Sequence, residues 1–250
     1  MSYCQKSRIM LTTAVVLGFA ASPSLAATFD AAADFSINNN PNSVWQYGWS
    51  STLGSALNLL SNTKSDCGGQ IDVWFRPNSA FGAPIIANNK TGNTIQCGTG
   101  KFAPGELLLH PGASNEYSVV RWVAPEAGNY SIATKFAGAD FVGPTTTDVH
   151  VLYNGVSLFN DLVNGFGDPS AKLWATTLSV AAGDIIDFAV GFGSGGFWYD
   201  TTSLDVTISS TTSPKSVPES TSTLGLLALS IFGASSLLKR KQQESSSGFK

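Results

Sequence analysis

Tyr130-Ser131-Ile132-Ala133-Thr134-Lys135-Phe136 is the stretch that decides the fold. Its bulky residues recur at every second position, the period of a strand with one buried face, whereas a helix would space them three and four apart. The same period continues outward: Val149, Val151 and Tyr153 alternate with Asp148 and His150, and the pattern returns over residues 174–180, 185–191 and 204–208. Turn chemistry separates these runs at Pro125-Glu126-Ala127-Gly128, Asn154-Gly155 and Ala181-Ala182-Gly183-Asp184. Asn-Gly is the strongest short hairpin signal, because both residues tolerate a positive φ. Upstream, residues 44–49, 71–75, 84–87 and 107–110 read as further strands. About nine or ten strands with no long helical stretch predict an all-β fold, an antiparallel β-sandwich of jelly-roll type over residues 27–210.

Composition agrees. Of 250 residues, 43% are hydrophobic and only 12% charged, which rules out disorder driven by charge. The net charge of −3 hides an asymmetry. Seven of the 14 bases (Lys6, Arg8, Lys215, Lys239, Arg240, Lys241, Lys250) and two of the 17 acids (Glu219, Glu244) lie outside residues 27–213, so seven bases against fifteen acids leave that segment at −8. A domain so acidic, with no Lys/Arg cluster, lacks the electrostatic footprint of a nucleic-acid binder. It would also repel anionic polysaccharide unless a divalent cation bridged them.

Both ends read as addresses. Lys6 and Arg8 precede an uncharged apolar run and then Ser24-Leu25-Ala26, the layout of a secretory signal peptide over residues 1–26, cut by signal peptidase after Ala26 or Ala27. At the other end, residues 220–238 carry no charge and Lys239-Arg240-Lys241 follows at once. Nineteen residues at a helical rise span about 28 Å, enough for the hydrocarbon core. The basic cluster then places the following tail, 242–250, in the cytoplasm and exports what precedes. A polar linker, 211–219, joins this 220–241 transmembrane segment to the sandwich.

Val217-Pro218-Glu219-Ser220, then Thr223-Leu224-Gly225-Leu226-Leu227, the apolar run and Lys239-Arg240-Lys241 together resemble the PEP-CTERM sorting signal. The resemblance covers about 25 residues and implies processing by an exosortase, a membrane transpeptidase-like enzyme, in a bacterium that makes extracellular polysaccharide. Ser220 stands where that signal has its second Pro, and the tail beyond the basic cluster is longer than the pattern. A second resemblance spans residues 108–208: Leu109-His110-Pro111-Gly112, Val120-Arg121-Trp122, Ala127-Gly128-Asn129-Tyr130, Thr147-Asp148-Val149-His150-Val151 and Asn154-Gly155 look like bacterial extracellular jelly-roll modules, which are similar to carbohydrate-binding domains. Those motifs are turns and core positions and speak to architecture more than to ligand.

Candidate chemistry is sparse. Export allows Cys67 and Cys97 to form a disulfide. No H-E-x-x-H, G-x-S-x-G or Walker loop occurs. Residues 191–196 do fit G-x-G-x-x-G, but a strand follows where a dinucleotide site needs a helix. His110 and His150 read as structural, and Glu106, Glu116 and Glu126 are the only glutamates between residues 27 and 213. Glycoside hydrolysis requires two carboxylates facing across a cleft, so the expectation is a non-catalytic protein. Aromatics are more suggestive. Trp45, Tyr47 and Trp49 alternate, and Phe197-Trp198-Tyr199 sits in a Gly-rich loop. Flat rings can receive the C–H face of a sugar, which makes Trp45, Trp49, Trp198 and Tyr199 candidate ligand-binding residues; the other reading of the first trio is a core face. Asp30, Asp34, Asp200 and Asp205 could meet as a calcium strut if the terminal strands are neighbours. The resulting expectation is an exported surface or matrix protein, anchored at the inner membrane at least transiently, that binds extracellular polysaccharide. An adhesive module with protein partners and a glycan-active hydrolase or lyase are the alternatives.

Overall fold

The computed structural model describes residues 26–211. The signal peptide up to residue 25, the linker and PEP-like motif (Val217, Pro218, Glu219), the transmembrane segment, Lys239, Arg240, Lys241 and the tail lie outside the described residues. Ala26 and Ala27 lie inside and are exposed.

Sixteen strands follow one another in this stretch. They are β1 (Thr28–Asp30), β2 (Trp45–Ser50), β3 (Asn58–Leu59), β4 (Asn62–Asp66), β5 (Ile71–Phe75), β6 (Ile85–Asn89), β7 (Ile95–Cys97) and β8 (Gly100–Phe102). After these come β9 (Leu107–His110), β10 (Tyr117–Val123), β11 (Gly128–Gly138), β12 (Asp148–Tyr153), β13 (Val156–Leu162), β14 (Gly167–Val180), β15 (Ile185–Gly191) and β16 (Thr202–Ser210). One sheet runs β14-β11-β16-β9-β6-β5-β4, with β1 added beside β16; the other runs β13-β12-β15-β10-β2-β3. All pairings are antiparallel. The fold is therefore an all-β antiparallel two-sheet sandwich. The strands beyond the expected nine or ten are mostly short or polar. All of β4 is exposed, with no apolar period to betray it, and its pairing to β5 makes it a strand.

Alternation explains the core. Tyr130, Ile132 and Phe136 of β11 and Leu204, Val206 and Ile208 of β16 face Trp45 and Tyr47 of β2, Val120 and Trp122 of β10, and Ile186, Phe188 and Val190 of β15 in one continuous cluster. Intervening residues such as Ser131 and Asp205 point outward and are exposed. A second apolar cluster lies on the outer face of the first sheet, where the β7–β8 hairpin lays Ile95 and Phe102 over Ile71, Val73, Ala87 and Leu108. Cys67 and Cys97 form a disulfide there, Cα atoms 5.7 Å apart, tying the hairpin to the turn after β4.

Register fixes which loops share an end. Gly191 lies opposite Asp148, Ser118 opposite Val190, and Tyr117 opposite Ser50. In the other sheet Ile85 lies opposite both Phe75 and His110, and Thr202 opposite Leu109 and Gly138. The connections β5–β6, β9–β10, β11–β12 and β15–β16 therefore gather at one end, called the upper end below. Asn154 and Gly155, with φ of 48° and 80°, make the expected hairpin turn at the lower end.

Candidate functional site

The upper end carries an aromatic cluster. Phe81, from the β5–β6 loop, meets Trp198 of the β15–β16 loop edge to face, with ring centroids 4.9 Å apart, and Phe197 at 5.4 Å. Phe197 in turn contacts the His110 ring at 5.5 Å. Phe81 and Trp198 are 67% and 60% exposed and Tyr199 40%, which leaves large apolar rings clustered at the surface. Phe81 and Tyr199 also hold φ of 59° and 65°, a left-handed conformation that bulky residues avoid. Such outliers persist only where surrounding contacts over-determine them.

Around Tyr199 those contacts come from two buried aspartates, Asp200 and Asp140, and the half-buried Asp148; the Phe81 loop is closed instead by the Arg76 N–H donating to the Gly82 carbonyl at 3.0 Å. Asp200, 0% exposed, follows Tyr199 directly and accepts from the Thr146 backbone N–H at 2.8 Å and the Thr146 hydroxyl at 3.3 Å through Oδ1. Its Oδ2 is buried without a partner. Burial, aided by the charges of Asp140 and Asp148, pushes its pKa up to about 6 against the hydrogen bonds from Thr146. Asp140 accepts from the Thr201 backbone N–H at 2.7 Å and from the Thr99 hydroxyl at 2.5 Å. Asp148 accepts from the Gly193 N–H at 2.7 Å, the Tyr117 hydroxyl at 3.0 Å and His150 Nε2 at 2.8 Å. Burial works to raise the Asp148 pKa, but those three donors outweigh it and hold the carboxyl below its ordinary value. Burial and the Asp148 charge push the Tyr117 hydroxyl up to about 12.

Glycines complete the anchorage. A Cβ on Gly193 would stand 2.2 Å from the Thr146 carbonyl oxygen, and one on Gly195 would stand 2.3 Å from the Thr146 hydroxyl. The G-x-G-x-x-G run is thus a close-packing device that seats the loop on Thr146. Among the described residues β16, and no helix, follows it.

Beside the cluster lies an apolar pocket of about 120 Å³ beneath the β7–β8 hairpin, lined among others by Ile71, Val73, Leu108 and His110. His110 Nδ1 contacts the Pro111 carbonyl at 2.9 Å, and burial lowers its pKa. The nearby Ser118 hydroxyl donates to the His110 backbone carbonyl at 2.6 Å and not to the ring. That is not a nucleophile–base arrangement.

Several expected site residues need correction. Trp45 is 0% exposed in the core, its indole N–H donating to Asp34 Oδ2 at 3.0 Å, so no ligand can reach it. The face of Trp49 is covered by the Arg76 guanidinium, 4.0 Å from the ring centroid, and Arg76 pairs with Glu116 at 2.5 Å. The four candidate calcium ligands do not converge. Asp30 caps its own turn, accepting from the Ala32 and Ala33 N–H groups, and Asp34 serves Trp45 and the Asp30 N–H. Asp200 is committed to Thr146 at the upper end, while Asp205 lies on the outer face of β16, opposite Lys135. Among the described residues no group of three or more His, Cys, Asp or Glu is placed to hold a metal ion. Trp198 and Tyr199 remain at the surface. Phe81 had no sequence signal: a lone Phe between Ala80 and Gly82 shows its role only once the β5–β6 loop is brought beside β15–β16.

No family model matches the chain, and no curated protein does. Among solved structures, a family 35 carbohydrate binding module from Clostridium thermocellum is 13% identical, with 41% of this chain and 76% of that one aligned at a TM-score of 0.28. The CBM51 from Clostridium perfringens GH95 in complex with methyl-galactose is 13% identical over 60% of this chain and 93% of its own, TM-score 0.31. Rabbit GITRL reaches 13% identity over 39% and 74%, TM-score 0.25. Likenesses this slight, spread over molecules so different, carry no functional information.

Proposed function

We propose that this is an exported, non-catalytic cell-surface or matrix protein whose jelly-roll-like sandwich binds extracellular polysaccharide through Trp198, Phe81 and Tyr199. The observation that carries this reading is an exposed pair of aromatic rings, Trp198 and Phe81, meeting edge to face, with the Trp198 loop pinned by the buried Asp200 and Asp140. Ring faces fixed before the ligand arrives lower the ordering cost of binding, and a sugar's C–H face suits them. The Cys67–Cys97 disulfide suits an oxidising compartment. The signal peptide with Ala26 and Ala27, and the PEP-CTERM-like tail with Val217, Pro218, Glu219, Lys239, Arg240 and Lys241, supply the route: export, transient anchorage at the inner membrane, and exosortase-type processing.

Affinity electrophoresis of the native protein against a panel of exopolysaccharides tests the binding. Retardation is expected in at least one gel, and Trp198→Ala should weaken it by about tenfold or more, the cost of truncating an aromatic anchor. No retardation by any glycan, or full retardation of the variant, would overturn the reading. Sorting has its own test: the intact mass of the mature protein should lack the segment after Pro218, and a mass that retains it rejects exosortase release.

A further inference from the structure

A second recess lies on the outer face of the first sheet, away from the aromatic cluster. Two adjoining cavities of about 400 and 280 Å³ share Ala103, Glu106, Lys135 and Ser203 and so form one trough. Its floor follows from strand alternation. Lys135 and Ala137 of β11 and Ser203 and Asp205 of β16 sit between residues that fill the sandwich core, so they face outward. The segment leaving β8 walls one side, the turn after β1 closes the lower end, and Phe166 with Asp168 stands at the other. The combined size suits a bound organic ligand.

The lining is charged and lopsided. Asp30, Glu106, Asp168 and Asp205 face Lys101 and Lys135, four carboxylates against two ammonium groups. Lys135 is already paired with Asp168. Glu106 accepts from the Ala103 N–H to Oε2 at 2.7 Å; burial raises its pKa, while that bond, Ser203 and the Lys135 charge oppose the rise. Asp205 joins no hydrogen bond or ion pair with the described residues. The Ser203 hydroxyl is taken up by the Ala137 carbonyl at 3.2 Å, and Phe166, 41% exposed, adds a ring at the rim. Lys135, opposite Asp205 and beside Glu106, offsets part of this charge, but a recess with four carboxylates against two ammonium groups still attracts a cation and repels an anion, and an aromatic neighbour suits a sugar.

We infer that the trough is a second glycan subsite, selective for an amino-sugar chain with free amines whose ammonium groups pair with Glu106 and Asp205. This rests on the glycan-binding reading above but uses none of its residues. The proposed pairing is a charge-assisted contact of the strong class.

Titration calorimetry of the native protein with a fully deacetylated glucosamine hexasaccharide, against the N-acetylated hexasaccharide, tests it. The deacetylated chain is expected to bind about tenfold tighter, one charge-assisted contact's worth, and to weaken with added salt. Asp205→Asn, at an exposed position, and Glu106→Gln should each erase most of that preference, whereas Trp198→Ala should leave it in place. Equal affinity for the two chains, binding of neither, or a preference untouched by Asp205→Asn would overturn the subsite. If the subsite fails while Trp198→Ala still abolishes retardation in polysaccharide gels, the upper-end reading survives alone. Preference erased by Trp198→Ala but not by the carboxylate variants would assign the amine to the upper end and reject the trough.

Discussion

Three carboxyls tie the loop that carries Trp198 and Tyr199 to the body of the sandwich, and Asp200 is the one beside those rings. Asp200 is wholly buried, and one of its oxygens has no partner, an arrangement that disfavours the charged form. Its folded pKa of about 6 lies above the ordinary 3.8, so the protonated form is the one the fold prefers. Stability from this group is complete below about pH 4 and falls as pH rises through 6, because the unfolded chain releases the proton first. Asn at this position keeps an acceptor for Thr146 and cannot ionise. Asp200→Asn should therefore raise the urea-unfolding free energy near pH 7.5 by on the order of 2 kcal/mol, with the gain vanishing at pH 4. A gain of equal size at both pH values would show that charge is not the cause. From sequence alone Asp200 was a candidate calcium ligand; nothing in Tyr199-Asp200-Thr201 announces that it will be buried and accept from Thr146 of the β11–β12 connection.

Elements differ in how plainly they can be read. Strands whose inner positions fill the common core, such as β11, β12, β15 and β16, were legible because burial imposes a two-residue period on their side chains. Two edges were not: β4 and β13 are held by hydrogen bonds to one neighbour, and polar residues serve there as well as apolar ones. The Cys67–Cys97 pair was legible too, whereas the apolar cluster it guards was not, since two short strands over an outer sheet face leave no periodic mark. That hairpin offers a test at its own scale. Cys97→Ser opens a closure with a sequence separation of 30, which should cost roughly 3–4 kcal/mol by loop entropy. Amide exchange in β7 and β8 should quicken well before that of β10 or β11, and uniform acceleration across all strands would contradict a local staple.

At the scale of the whole molecule, the sandwich segregates its tasks. Aromatic rings, buried aspartates and tight glycines gather at the upper end, the acidic trough occupies one outer face, and the lower end holds the turns at 124–127, 154–155 and 181–184 together with the chain ends of the domain. The chain also enters and leaves this domain at the lower end, where Thr28 lies opposite Ser209 and the Ser210 N–H donates to the Ala27 carbonyl at 2.8 Å. β1 is three residues long and pairs only with β16. Pulling on the two ends would therefore load these hydrogen bonds one after another, as in peeling, instead of all at once, as in shear. Tugged in that direction the domain should yield at small force, whereas a load borne between the upper loops and either terminus would run lengthwise through the long central strands.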